Sequence, residues 1–174
     1  MQKRFFLSAI ALGLFAAHAG TALAQEKFKI GLILPMTGPF ASTGKQIEAA
    51  ARLYIAQNGD TVGGKKVELI VKDDTSAPDV TKRIAQELVV NDKVNVLAGF
   101  GLTPLALATA PLATQSKTPM VVMAAATSSI TQASPYVVRT SFALPQAAVA
   151  LADWAPNNGI KKVVTLVSDY GPGI

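Results

Sequence analysis

Residues 94–123 read VNVLAGFGLTPLALATAPLATQSKTPMVVM, and this stretch decides the fold. Val94–Ala98 and Pro119–Met123 are short apolar runs that predict two buried strands. Between them, Thr103-Pro104 is typical of a helix start, and the helix is expected to run to about Gln115. A strand, a crossover helix and a second strand form the unit from which parallel sheets are built.

The same alternation continues towards the amino terminus. Phe28–Leu34 and Val67–Val71 are predicted strands. A capping box of Thr43 and Gln46 predicts the start of the helix after the first strand, and Gly59 predicts its end. The helix after the second strand is expected to be capped by the serine of the Asp-Asp-Thr-Ser segment, 73–76.

The carboxyl-terminal third is predicted to be extended at Tyr136–Thr140 and helical from about Pro145 to Ala155. Trp154 is expected in the core, and Val163–Val167 predicts a further strand. The whole pattern indicates an α/β fold with a doubly wound parallel sheet. In such sheets ligands bind beyond the carboxyl ends of the strands. Five segments rich in Gly, Ser and Thr fall there: 35–44, 73–76, 99–103, 124–127 and 168–173.

The first 24 residues have the layout of a secretory signal peptide. Lys3 and Arg4 precede an apolar stretch, Phe5–Ala17, that is shorter than the roughly 20 residues of a membrane span. Ala22 and Ala24 provide the small residues of a cleavage site, so the mature chain is expected to begin at Gln25.

The composition argues against an enzyme and against a nucleic-acid-binding protein. The chain has no cysteine, and its one histidine, His18, lies in the predicted signal peptide, which excludes Ser-His-Asp and Cys-His nucleophiles and the usual zinc ligands from the mature chain. Without Lys3 and Arg4, 14 basic residues face 11 acidic ones, and no basic stripe is present. Without a cysteine that could carry a lipid anchor, we expect a freely soluble protein in the periplasm.

Five stretches in the right order resemble the branched-chain amino-acid-binding family of ABC transporter receptors. Each alone has little specificity, but together they are specific, and the resemblance extends over nearly all of residues 26–174. The stretches are Ile30–Pro39, Glu68–Asp74, Gly99–Thr103, Ala124–Thr127 and Asp169–Gly171. The resemblance implies a type I binding-protein fold, in which two α/β lobes joined by hinge strands close on a small ligand.

On that resemblance, residues 1–24 are the signal peptide, residues 25–141 form a complete first lobe, and residues 142–174 cross the hinge and begin a second lobe that is truncated. The implied protein is a monomer without cofactor or metal. It captures an amino acid or a related small carboxylate and delivers it to an ABC permease in the inner membrane.

The resemblance also implies ligand-binding residues: Thr103, Ala125, Ala126, Thr127 and Tyr170. The first four would hold a carboxylate, because hydroxyl and free backbone N–H groups at a helix start favour an anion. Thr43 is a possible further contact, at a place where branched-chain members of the family can carry a tyrosine.

Several alternatives stay open at this point. Thr103 is also explained as a plain helix cap, and Ala124–Ala126 as ordinary helix-start alanines. Asp73 and Asp74 suit a metal or a ribose, but a structural role at the strand end is favoured. A Rossmann-type oxidoreductase would need G-x-G-x-x-G after the first strand, and residues 35–39 lack it. The ligand-binding domain of a sensory receptor is the remaining alternative.

Overall fold

The computed structural model describes residues 26–169 and residue 172. Within them, strands and helices alternate as the sequence predicts. The strands are β1 (Lys27–Leu34), β2 (Thr61–Val62), β3 (Lys65–Asp73), β4 (Val96–Gly99), β5 (Met120–Val122) and β6 (Val137–Arg139). The helices are α1 (Ala41–Asn58), α2 (Pro78–Val90), α3 (Thr103–Ser116) and α4 (Leu144–Asn157), with a 3-10 helix at Ser128–Gln132.

The strands form one sheet in the order β2-β3-β1-β4-β5-β6, and all neighbours are parallel except the β2–β3 hairpin. The chain passes from β1 to β3 on one side and then returns to β4 on the other side of β1. The order therefore reverses between β1 and β4. In doubly wound sheets the crevice for a ligand opens at this point, outside the carboxyl ends of the strands.

Helices pack on both faces of the sheet, because right-handed crossovers in opposite directions place their helices on opposite sides. One core cluster joins α2 and α3 to Ile33, Leu97 and Met120 of the strands. The other is smaller, and in it α1 contributes Ile47 against Leu32 and Leu34. The prediction of a doubly wound α/β fold is confirmed.

Both predicted helix caps are wrong in detail. Helix α1 begins at Ala41, because the Phe40 carbonyl already accepts the Thr43 N–H at 3.0 Å. Gln46 donates to the hydroxyl of Ser42 at 3.0 Å instead of forming a box with Thr43. Helix α2 follows Ala77, so the segment before it forms a turn and not a cap.

The last part of the chain departs most from the prediction. Val163–Val167 is not a strand, because no neighbouring strand pairs with it within the described residues. Leu166 is fully exposed, and Trp154 of α4 is 53% exposed and not in the core. An apolar cavity of about 540 Å³ opens to solvent between α4 and this segment, lined by Leu151, Ala155, Ile160 and Val163 among others.

Candidate functional site

The candidate site lies at the crevice between β1 and β4, where three strand-end loops meet. The loop after β4 folds back on β1, since the Phe100 N–H donates to the Ile33 carbonyl at 2.9 Å. Gly99 has a φ of +113°, and a Cβ at this position would collide with the Ile33 carbonyl oxygen. A Cβ on Gly101 would lie 3.0 Å from the ring of Pro35, so the loops after β1 and β4 pack tightly together.

Thr103 and Thr127, both predicted as ligand residues, meet at this crevice. Thr103 is the first residue of α3 and is 1% exposed, while Thr127 is half-buried in the loop after β5. Their Oγ1 atoms lie 2.8 Å apart and share one hydrogen bond. The helix cap is Leu102, and the Thr103 side chain makes no capping bond. The simple N-cap interpretation of Thr103 is therefore wrong.

The loop 124–127 has its backbone fixed on three sides. The Ala125 N–H donates to the Phe100 carbonyl at 3.0 Å, so this donor is not available to a ligand. The Ala126 carbonyl accepts the Leu144 N–H at 2.9 Å. Arg139 Nη1 donates to the carbonyls of Ala125 and Thr127 at 3.2 and 2.8 Å. Within the described residues, the N–H groups of Ala126 and Thr127 have no acceptor.

The other two predicted contacts have different outcomes. Thr43 lies in the first turn of α1, half-buried, and among the described residues no hydrogen bond joins it to Thr103 or Thr127. Its proposed contact with a ligand stays a prediction. Tyr170 lies outside the described residues, as do the signal peptide and its cleavage site.

Asp73 shapes the first wall of the crevice. Its Oδ1 accepts the N–H groups of Met36 and Thr75, both at 2.9 Å, and its Oδ2 accepts the Thr37 hydroxyl at 2.7 Å. Burial raises the pKa of Asp73, but these hydrogen bonds outweigh burial and lower it below its ordinary value. The structural role favoured from the sequence fits this geometry. The sequence did not show that two of the three donors, Met36 and Thr37, lie on the loop after the neighbouring strand β1.

Asp74 is fully buried and points into the fold. Its Oδ1 accepts the Ser76 N–H at 2.8 Å, whereas its Oδ2 has no partner within the described residues. Burial raises the pKa of Asp74, and the charge of Asp73 adds to the increase. No group of three His, Cys, Asp or Glu side chains in the described part of the chain could hold a metal ion.

The fold and this crevice define a class of binding proteins that hold small molecules at the switch point of an α/β lobe. The chain belongs to the periplasmic binding protein family, whose model matches residues 27–173. Membership implies a periplasmic location, and the family consists of binding proteins and not of enzymes. Among residues 26–169, no helix has the length and hydropathy of a membrane span.

Relatives of known name and structure agree with this family. The chain is 47% identical over 174 residues to Leu/Ile/Val-binding protein homolog 6 of Brucella abortus, covering 99% of this chain and 44% of that relative. A solute-binding protein of an ABC transporter from Rhodopseudomonas palustris BisB5, in complex with 3,4-dihydroxybenzoic acid, is 67% identical with a TM-score of 0.83. The match covers 84% of this chain and 40% of that one.

A second solute-binding protein, from Rhodopseudomonas palustris HaA2, is in complex with p-hydroxybenzoic acid. It is 48% identical with a TM-score of 0.83, and the match covers 85% of this chain and 40% of that one. The sequence thus spans less than half the length of the relatives it matches. The likeness confirms the type I binding-protein fold.

Proposed function

We propose that this chain forms the first lobe of a periplasmic receptor that captures an aromatic carboxylate of the hydroxybenzoate class and delivers it to an ABC permease. The observation that carries the proposal is the Thr103–Thr127 hydroxyl pair at the switch-point crevice. It lies next to the N–H groups of Ala126 and Thr127, which have no acceptor in the described part of the chain. One hydroxyl and two amide donors on one short loop suit the two oxygens of a carboxylate.

The choice of an aromatic acid over an amino acid rests on the ligands of two similar proteins. The two Rhodopseudomonas palustris proteins described above are bound to hydroxylated benzoic acids and are 67% and 48% identical to this chain.

The proposal has the same domain plan as the sequence suggests. A signal peptide is cleaved after Ala24, residues 25–141 form the first lobe, and residues 142–174 lead into a second lobe. Tyr170 contacts the ligand from the second lobe, and Thr43 lies at the margin of the site. The receptor acts as a monomer.

Native mass spectrometry tests the proposal on the intact receptor, by which we mean the complete product of the reading frame that contains these residues. The receptor is purified from its own periplasm without refolding. We expect a retained ligand with the mass of a hydroxybenzoate. A retained leucine, isoleucine or valine would instead support a branched-chain amino-acid receptor and contradict the proposed ligand class.

A further inference from the structure

Arg139 is the last residue of β6, and its side chain reaches across to the loop 124–127. One nitrogen, Nη1, donates both of its hydrogens to carbonyls of that loop, at 3.2 Å to Ala125 and at 2.8 Å to Thr127. Within the described residues, no carboxylate forms an ion pair with Arg139. A half-buried guanidinium is therefore held by two backbone carbonyls.

These hydrogen bonds fix the direction of the peptide groups in the loop. In a trans peptide the N–H points away from the C=O of the same unit, and the described residues contain no cis peptide bond. When Arg139 holds the Ala125 carbonyl, the Ala126 N–H must therefore point to the opposite side. In the same way, the Leu144 N–H holds the Ala126 carbonyl and turns the Thr127 N–H away from α4.

We propose that Arg139 is a positioning residue for ligand capture, which orients the N–H group of Ala126 towards the carboxylate and holds the Thr127 carbonyl in place. This inference rests on the proposed function. The residue contacts the loop and not the ligand, and it does so where the chain leaves the first lobe. Its planar, permanently charged group suits two carbonyls better than the compact ammonium of lysine does.

Two variants of Arg139 and one matched control test this inference on the intact receptor. Arg139→Gln removes the charge and shortens the side chain, and Arg139→Lys keeps a charged donor. Arg52→Gln is the control, since it removes the same charge from an exposed ion pair with Glu48 on α1. Titration calorimetry measures the dissociation constant for 4-hydroxybenzoate, and amide NMR of the ligand-free receptor measures the resonances of Ala126 and Thr127.

We expect Arg139→Gln to raise the dissociation constant about tenfold or more, the change that corresponds to one weakened hydrogen bond to the carboxylate. Arg139→Lys should fall between wild type and Arg139→Gln, and Arg52→Gln should bind as wild type does. The Ala126 and Thr127 amide resonances should shift in Arg139→Gln before ligand is added. If Arg139→Gln does not fold, the lysine variant must show both effects.

Equal dissociation constants for Arg139→Gln and Arg52→Gln, or loop resonances that do not move, would overturn the positioning role while the proposed function stands. A wild-type receptor that binds no aromatic carboxylate would instead contradict the proposed function, and the inference with it. The two failures are therefore distinguished by the wild-type titration alone.

Discussion

At Thr103 and Thr127, two hydroxyl groups 2.8 Å apart use one proton for their mutual hydrogen bond, which leaves the other proton free to donate. Because Thr103 is buried and Thr127 is half-buried, the free donor can be presented by Thr127 while Thr103 orients it. The family resemblance implied both residues as ligand contacts, and their positions at strand ends agreed with it. Their direct contact, across 24 positions of the chain, required the fold.

Replacing Thr103 with valine tests this pair. The substitution keeps the shape of the side chain but removes the hydroxyl that holds Thr127, so we expect the dissociation constant of the intact receptor to rise about tenfold or more. Thr109→Val is the matched control, because Thr109 is equally buried on α3 and donates only to the Leu105 carbonyl at 3.0 Å. Calorimetry in which both variants bind alike would refute the role of Thr103.

Removing the charge of Asp73 and removing the charge of Asp74 should have different effects on the free energy of unfolding. The folded pKa of Asp73 lies below its ordinary value of 3.8, so its ionised form stabilises the protein above that pH, and this contribution is lost as the pH falls through the folded pKa. Asp73→Asn should therefore lower the free energy of unfolding at pH 7 by about 1 to 2 kcal/mol.

The folded pKa of Asp74 is raised, so its ionised form costs stability at neutral pH, and this cost disappears as the pH falls through the folded pKa. Asp74→Asn keeps an acceptor for the Ser76 N–H and should leave the stability at pH 7 equal or higher. Urea unfolding at pH 7 and pH 4 measures both variants. A loss of stability at pH 7 for Asp74→Asn as large as for Asp73→Asn would contradict this assignment.

Among the secondary-structure elements, the register between β1 and β4 depends on one glycine. Gly99 combines a φ of +113° with a close approach to the Ile33 carbonyl, so any side chain here is both strained and in collision. Gly99→Ala is expected to destabilise the first lobe by about 3 kcal/mol or more. Gly59→Ala is the control, because Gly59 also has a positive φ of +85°, but a Cβ at that position would meet no atom within 4 Å.

The control substitution should cost only the strain of its backbone conformation, about 1 kcal/mol. The free energy of unfolding, measured with urea by circular dichroism, compares the two. If Gly99→Ala were no more destabilising than Gly59→Ala, this would contradict the inference that the loops after β1 and β4 pack tightly together.

The strands and helices that could be predicted are those whose own sequence pattern specifies them. Apolar runs identified β1, β4 and β5 because these strands are buried inside the sheet. Strand β2 could not be predicted, because two exposed residues carry no alternation. Val163–Val167 has the apolar pattern of a buried strand, yet a strand forms only when a neighbour satisfies its backbone groups. Arg139 was missed because its carbonyl partners are backbone atoms, which the sequence does not mark.

For the molecule as a whole, the exposed apolar surface lies at its carboxyl-terminal end. Val149, Leu151 and Trp154 of α4 are more than half exposed, and so are Val164 and Leu166 after it. A surface of this kind marks an interaction site or an aggregation hazard. In the two-lobe proposal, the second lobe covers this apolar surface, and residues 142–174 form the beginning of that lobe.

The 174-residue chain alone should therefore be a poor receptor. With one wall of the cleft, most of the ligand surface stays in water, so we expect affinity for 4-hydroxybenzoate at least about a hundredfold weaker than that of the intact receptor. The chain should also bind the dye ANS and aggregate on concentration, in contrast to the intact receptor. Equal affinities for the two proteins would contradict the two-lobe cleft.

The most direct test of the central claim, that this lobe captures an aromatic acid by its carboxylate, is a calorimetric titration of the intact receptor with 4-hydroxybenzoate and with 4-hydroxybenzamide. The two compounds share ring and hydroxyl group and differ only in the group that the Thr103–Thr127 crevice would hold. The account predicts tight binding of the acid and a loss of at least about a hundredfold for the amide. Equal affinities for acid and amide, or binding of leucine alone, would contradict it.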